Sequence, residues 1–186
     1  MKTTNNLMKN TVLLSIGTIL NKGLTFLMIP LFSRWLSTED YGVFDIFCTY
    51  VTMLIPLVSL SIGDGVFRFA IDANDNDKKK YFTSGLVVYL IGLLIATIII
   101  LAMYFITSQT ILLPFLLMLS VELINKYLQS FLRAIKKLSL YSISSVIVTV
   151  FTFIGVFLFV KVFALNLYGI IYGYSLGFLV GNLYIV

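Results

Sequence analysis

Residues 81–121 read YFTSGLVVYLIGLLIATIIILAMYFITSQTILLPFLLMLSV, and none of these 41 residues carries a charge. A transmembrane helix needs about 20 consecutive, predominantly apolar residues. The stretch is therefore long enough to cross a bilayer twice, with the polar residues 107–110 at the turn. Residues 46–63 likewise carry no charge, and residues 138–186 carry only that of Lys161.

The composition of the whole chain excludes an ordinary soluble domain. Of the 186 residues, 60% are hydrophobic and 11% are charged, and the mean hydropathy is +1.03. Soluble domains carry about 25% charged residues. Disordered chains have low hydrophobicity, so this composition excludes disorder as well.

Six apolar segments are separated by polar stretches, at about residues 11–33, 44–63, 83–106, 111–131, 141–163 and 166–186. The strands of a membrane barrel are about 10 residues long and alternate in polarity, which these segments do not. Helices are the other backbone that satisfies its own hydrogen bonds in lipid. We therefore expect an all-α, polytopic membrane protein with six transmembrane helices.

The missing residue types exclude several kinds of site. The chain has no histidine and a single cysteine, Cys48, which excludes a Ser-His-Asp triad, a histidine metal site and an internal disulfide. Residues 75–77 form a D-x-D pattern seen in metal-dependent glycosyltransferases, but beside Lys78–Lys80 we interpret it as a solvated turn. We expect no catalytic residue, no metal and no cofactor.

The basic residues predict the orientation. Nine of them lie before the first segment and in the second and fourth loops: Lys2, Lys9, Arg68, Lys78, Lys79, Lys80, Arg133, Lys136 and Lys137. The opposite side carries Arg34 and Lys161. Because cytoplasmic loops are enriched in Lys and Arg, we expect a cytoplasmic N-terminus.

The first helix has a polar face, formed by residues three or four positions apart: Thr11, Ser15, Thr18, Lys22 and Thr25, with Asn21 beside Lys22. Lys22 lies deep in its apolar segment, which indicates a cation facing an aqueous cavity. The alternatives are an interhelical ion pair or a side chain that reaches the membrane interface.

The second helix has a similar stripe: Asp45, Thr49, Thr52, Pro56, Ser59 and Gly63. Pro56 lacks an N–H donor and is expected to kink the helix. Asp45 lies near the outer end, where an interfacial position is the alternative to a functional one. At the inner end Asp64 and Arg68 have i, i+4 spacing, which also suits a local salt bridge without a role in binding.

The fourth helix has the most polar face, formed by Glu122, Asn125, Lys126, Gln129 and Arg133. Charged side chains at mid-bilayer cost about 2.5–3.5 kcal/mol, so this face cannot point toward lipid. It either packs between helices with matching partners or lines a water-filled cavity, and we favour the cavity.

The third, fifth and sixth helices are expected to form the scaffold. The sixth carries Gly169, Gly173, Gly177 and Gly181, a spacing that lets helix backbones approach closely.

The polar faces together predict a cavity with net positive charge. Its cations are Lys22, Arg68, Lys126 and Arg133, and its acids are Asp45, Asp64 and Glu122. Arg and Lys bind phosphate groups, so the residues alone predict a transporter of a polar, anionic solute or lipid headgroup.

The stretch GTILNKGLTFLMIPLFSRWLSTEDYGVFDIF (residues 17–47) resembles the beginning of bacterial polysaccharide biosynthesis flippases, members of the multidrug/oligosaccharidyl-lipid/polysaccharide exporter superfamily. The continuation SIGDGVFRFAIDANDNDKKKYFTSGL (residues 61–86) is similar to the next part of that family. The resemblance implies the N-terminal lobe of a two-lobe transporter, so we expect a second lobe beyond residue 186.

The resemblance also implies the function. Such proteins translocate undecaprenyl-pyrophosphate-linked oligosaccharides across the bacterial cytoplasmic membrane by alternating access. Lys22, Arg68, Lys126 and Arg133 would then bind substrate, and Asp45, Asp64 and Glu122 would gate or couple a proton or sodium ion. Asn21, Asn125 and Gln129 would line the path. Expected partners are the lipid-linked oligosaccharide, membrane lipids and other polysaccharide-assembly proteins, but no nucleic acid.

Three alternatives remain at this point. A cation-coupled multidrug exporter of the same superfamily would carry fewer fixed cations than Lys22 and Lys126. A membrane-embedded lipid-linked sugar or acyl transferase would have to use Asp, Glu or Lys chemistry. A structural subunit would use its polar faces to bind a partner helix.

Overall fold

The computed structural model describes Ile19 and residues 22–186, which contain helices and no strand. In chain order the helices are α1 (residues 22–35), α2 (Thr38–Val58), α3 (Ile62–Ala70), α4 (Asp75–Thr107), α5 (Leu112–Ala134), α6 (Leu138–Val156) with a π-helical continuation (Phe157–Val162), and α7 (Asn166–Ile185). The predicted all-α class is confirmed for these residues.

Among the described residues, four helices are long and apolar enough to cross a membrane: α2, α4, α5, and α6 with its π-helical continuation. They correspond to the second to fifth predicted segments. The sixth segment forms α7, whose glycines, tyrosines and asparagines lower its hydropathy, and it is not among the four. The first segment lies partly outside the described residues. The prediction of six spans is thus confirmed for four of them.

The predicted single helix over residues 44–63 is wrong in its boundaries. The helix begins earlier, where the Ser37 side chain accepts a hydrogen bond from the Asp40 backbone N–H at 3.0 Å and caps α2. It ends soon after Pro56, because Leu60 and Ser61 adopt left-handed φ angles of 49° and 52°. Gly63 therefore lies on α3, and the polar stripe of α2 stops before it.

The D-x-D pattern at residues 75–77 is not in a loop, because Asp75 begins α4. There the carboxylates pair with lysines one turn on, Asp75 with Lys78 at 3.0 Å and Asp77 with Lys80 at 3.5 Å. At 33 residues α4 is about 50 Å long, which exceeds the roughly 30 Å hydrocarbon core. Its charged first turns therefore lie outside the membrane.

Helix α5 lies at the centre of the described bundle and contacts α2, α3, α4, α6 and α7. Its side chains Leu119 and Leu123 are fully buried. The Ser130 hydroxyl donates a hydrogen bond to the Gly63 carbonyl of α3 at 2.8 Å, and the Tyr127 hydroxyl donates to the Phe82 carbonyl of α4. These two hydrogen bonds connect the C-terminal half of α5 to α3 and α4.

Helices α6 and α7 pack backbone against backbone through glycines, as the small-residue spacing predicts. A Cβ added at Gly155 would lie 2.9 Å from the Gly173 Cα, and one added at Gly173 would lie 2.7 Å from the Val156 Cα. Both distances are shorter than van der Waals contact, so only glycine allows this approach.

We therefore expect Gly173→Ala to lower the free energy of unfolding by about 1–3 kcal/mol, the usual cost of overpacking. Gly42→Ala is the matched control, because nothing lies within 4 Å of a Cβ at that position. Unfolding of both variants in mixed micelles would measure the difference. Equal stability of the two variants would contradict the proposed packing.

Candidate substrate cavity

A polar cavity of about 330 Å³ lies between α1, α5, α6 and α7. It is lined by Thr25, Met28, Asn125, Lys126, Gln129, Tyr141, Ser145, Val148, Thr149, Thr152, Tyr174 and Phe178. Most of these side chains carry a hydroxyl, an amide or an ammonium group. Polar groups at membrane depth are rare except beside a cavity or a partner, so this is the candidate functional site.

The polar face of α5 is satisfied partly by a neighbouring helix. Asn125 is 2% exposed, and its Nδ2 donates a hydrogen bond to Asn182 Oδ1 of α7 at 2.8 Å. In turn Asn182 Nδ2 donates to the Val121 carbonyl at 2.9 Å. The sequence left two alternatives for this face, packing between helices and lining a cavity. Asn125 does both, because it is buried against α7 and also lines the cavity.

Helix α6 contributes a row of hydroxyls to the opposite wall. The Ser145 hydroxyl donates to the Tyr141 carbonyl at 3.0 Å, and the Thr149 hydroxyl donates to the Ser145 carbonyl at 3.0 Å. Gln129 Nε2 of α5 donates to Ser145 Oγ at 3.4 Å. The expectation that the fifth and sixth helices serve only as scaffold is therefore wrong, because α6 lines the cavity and α7 does so through Tyr174 and Phe178.

Lys126 is the one predicted cation that lines the described cavity. Its Nζ lies 4.0 Å from Glu122 Oε1, one helical turn earlier. The lysine side chain is 55% exposed, whereas the glutamate side chain is 13% exposed. The carboxylate therefore offsets part of the lysine charge, and the local net charge is lower than predicted.

The other predicted cations do not line the cavity. Lys22 is exposed on α1, one turn before the lining residue Thr25. Arg68 is exposed on α3. The Arg133 guanidinium lies 5.5 Å from the centre of the Phe67 ring and 5.8 Å from that of Tyr141, itself a lining residue. Arg133 thus lies one aromatic ring away from the cavity.

The predicted acids other than Glu122 are also separate from the cavity. Asp45 and Asp64 are both exposed and do not line it. Within residues 22–186, Asp64 and Arg68 form no ion pair, although both lie on α3. Asn21 lies outside the described residues.

Aromatic side chains cluster around the lining residue Tyr174, a feature that sequence reasoning missed. The ring centre of Tyr174 lies 4.7 Å from that of Phe44 and 6.4 Å from that of Phe32. Beyond them Trp35 contacts Phe157, with ring centres 5.7 Å apart. The high aromatic content of 15% is the one sequence signal of this cluster, and it names no partners.

A larger, apolar groove of about 730 Å³ lies on the other side of α5, between α2 and α4. Helices α2 and α4 come close where Gly92 meets the Val58 backbone, and the groove extends from there to Met103 and Leu112. None of the described residues that line it is charged.

These features define a helical membrane protein with a polar cavity inside its bundle. The sequence pattern of the polysaccharide biosynthesis protein family matches residues 7–186, and the chain belongs to this family. No curated protein matches the chain, and no solved structure does. Family membership and the apolar helices identify a multi-pass membrane protein of polysaccharide biosynthesis.

The Asn125–Asn182 bond gives a testable coupling energy. We expect a double-mutant cycle of Asn125→Ala and Asn182→Ala to give a coupling free energy of about 0.6 kcal/mol, and at most about 1.7 kcal/mol, as found between membrane helices. Equilibrium unfolding in mixed micelles would measure it. Strictly additive effects would show that the two amides do not interact.

Proposed function

We propose that the protein is a flippase that moves undecaprenyl-pyrophosphate-linked oligosaccharides across the bacterial cytoplasmic membrane. The observation that carries the proposal is a cavity with Lys126, amides and hydroxyls inside a bundle that belongs to a polysaccharide biosynthesis family. A charged, hydroxylated headgroup needs such a polar path, because crossing bare hydrocarbon leaves its hydrogen bonds unsatisfied.

The distribution of basic residues supports an opening of the cavity toward the cytoplasm. The Arg133 guanidinium lies over the Phe67 ring, so the C-terminal ends of α5 and α3 lie close together. The basic N-terminal end of α4 follows α3 directly in the chain and adds to the charge at this end. At the opposite end Lys161 lies 5.9 Å from the centre of the Trp35 ring, beside Arg34. By the positive-inside rule, the end with more basic residues is cytoplasmic. In this orientation, Tyr141 and Gln129 would lie on the cytoplasmic side of the cavity.

We further propose that this chain forms the N-terminal lobe of a two-lobe transporter. Lys22, Asp45, Asp64 and Arg68 are exposed on α1, α2 and α3, and would face a second lobe that rocks against the first. The two carboxylates and Glu122 are candidates for gating or for coupling to a proton or sodium ion.

The cavity supports a transporter of pyrophosphate-linked saccharides better than the alternatives. Lys126, the one cation among the described lining residues, would repel a cationic drug. Among the described residues, no group of His, Cys, Asp or Glu could hold a metal ion for a transferase reaction. Interaction with other polysaccharide-assembly proteins remains part of the proposal.

Lys126→Gln tests the proposal. Because a hydrogen bond to a charged group contributes about 1.5–3 kcal/mol, we expect export of surface polysaccharide to fall about tenfold or more. Lys79→Gln is the matched control, since Lys79 is an exposed lysine at the start of α4 and does not line the cavity. Polysaccharide at the cell surface and lipid-linked oligosaccharide retained in the membrane would both be measured.

Loss of export in Lys126→Gln, with accumulation of the lipid-linked intermediate, is the expected result. Wild-type export in this variant, at wild-type protein levels, would contradict a role of the cavity in translocation.

A further inference from the structure

Arg133 is held at the end of α5 by two aromatic rings from two other helices. Its guanidinium carbon lies 5.5 Å from the centre of the Phe67 ring on α3 and 5.8 Å from the centre of the Tyr141 ring on α6. Both distances are within the roughly 6 Å over which a ring face attracts a cation. The side chain is therefore positioned by α3 and α6 as well as by its own helix.

The guanidinium can bind an anion in this position. Arg133 is exposed, and among the described residues no carboxylate lies within 4.0 Å of it. The ring faces attract its charge but accept none of its five N–H hydrogens in a conventional hydrogen bond. A planar arginine fork binds a phosphate group through two parallel hydrogen bonds. Lys136 and Lys137, also exposed, add positive charge beside it.

The depth of Arg133 in the membrane indicates which phosphate it meets. Helix α5 has 23 residues and is about 35 Å long, which exceeds the roughly 30 Å hydrocarbon core. Arg133 lies in its last turn, and therefore at the level of the lipid headgroups. Lys126 lies two turns earlier in α5, about 10 Å deeper. A lipid-anchored diphosphate at this surface would reach Arg133 before Lys126.

Tyr141 connects Arg133 to the polar cavity. Its ring contacts the guanidinium and also lines the cavity, together with Gln129 and Lys126. A ligand bound to Arg133 is thus one aromatic ring away from the polar side chains inside the bundle.

We infer that Arg133 captures the diphosphate group of the lipid-linked substrate outside the polar cavity, and that Phe67 and Tyr141 are its positioning residues. The inference rests on the proposed function, which it refines by separating the first contact of the diphosphate from a later one at Lys126. The phosphate groups of bulk anionic lipids share this chemistry. The diphosphate is the stronger ligand, because it presents more negative charge to one guanidinium.

Arginine modification tests the inference, because the chain has three arginines, Arg34, Arg68 and Arg133. The full chain in mixed micelles is treated with phenylglyoxal, and mass spectrometry gives the modification rate of each arginine. Inorganic pyrophosphate is the probe, and sodium chloride of equal ionic strength is the comparison. We expect pyrophosphate to slow the modification of Arg133 saturably and to leave Arg34 and Arg68 unchanged, although all three are exposed.

Bulk lipid is tested separately from the diphosphate. Mixed micelles in which phosphatidylglycerol replaces phosphatidylcholine present single phosphate groups at the same depth. We expect the rate at Arg133 to change less between these micelles than on addition of pyrophosphate.

Tyr141→Leu removes one of the two rings that position the guanidinium. Because ordering one long side chain costs about threefold to tenfold in affinity, we expect half-protection of Arg133 to need that much more pyrophosphate. Tyr141→Phe keeps the ring and should restore wild-type protection. Phe67→Leu is the second variant and should give a similar loss. The matched control is Phe69→Leu, because this exposed ring of α3 packs on Tyr81.

Equal protection of Arg34 or Arg68 by pyrophosphate would overturn the inference and leave the flippase proposal standing. The same holds for equal protection of Arg133 by phosphatidylglycerol, or for undiminished protection in either ring variant whose Arg34 rate without ligand shows that it is folded. Surface polysaccharide that persists when the gene is deleted would instead refute the proposed function itself.

Discussion

The polar face of α5 is the constraint on which the arrangement of the other helices depends. Inside a bilayer an amide or charge without a partner costs several kcal/mol, so each side chain on this face needs protein or water beside it. Asn182 of α7 satisfies Asn125, Ser145 of α6 accepts from Gln129, and Glu122 partly offsets Lys126. Helix α5 must therefore lie centrally, with α6 and α7 against its polar side.

The glycine contact between α6 and α7 makes that arrangement possible. Because Gly173 lets the two backbones touch, both helices fit on the same side of α5 and still leave room for a cavity. Tyr174, which lines the cavity, packs on Phe44 of α2. The result is a polar cavity in a membrane bundle, which suits a headgroup that must be shielded from hydrocarbon during transport.

The membrane class and most helix positions could be predicted, because long uncharged segments allow few other structures. The break after α2 could not, since Leu60 and Ser61 carry no residue signal for a left-handed turn. The α5 face was visible in the sequence because charges in an apolar segment stand out. The hydroxyls of α6 could not be assigned a role from the sequence. Serine and threonine are common in membrane helices, and their role depends on which helix they face.

The most direct test of this account is whether water reaches the α5–α6 face but not the lipid-facing sides of the same helices. In a Cys48→Ala chain, single cysteines at Gln129 and Thr149 would be compared with cysteines at the exposed apolar positions Leu117 and Ile154. The account predicts rapid reaction of the first two with a membrane-impermeant thiol reagent and little reaction of the others. Equally slow reaction of all four cysteines with the thiol reagent would contradict the account.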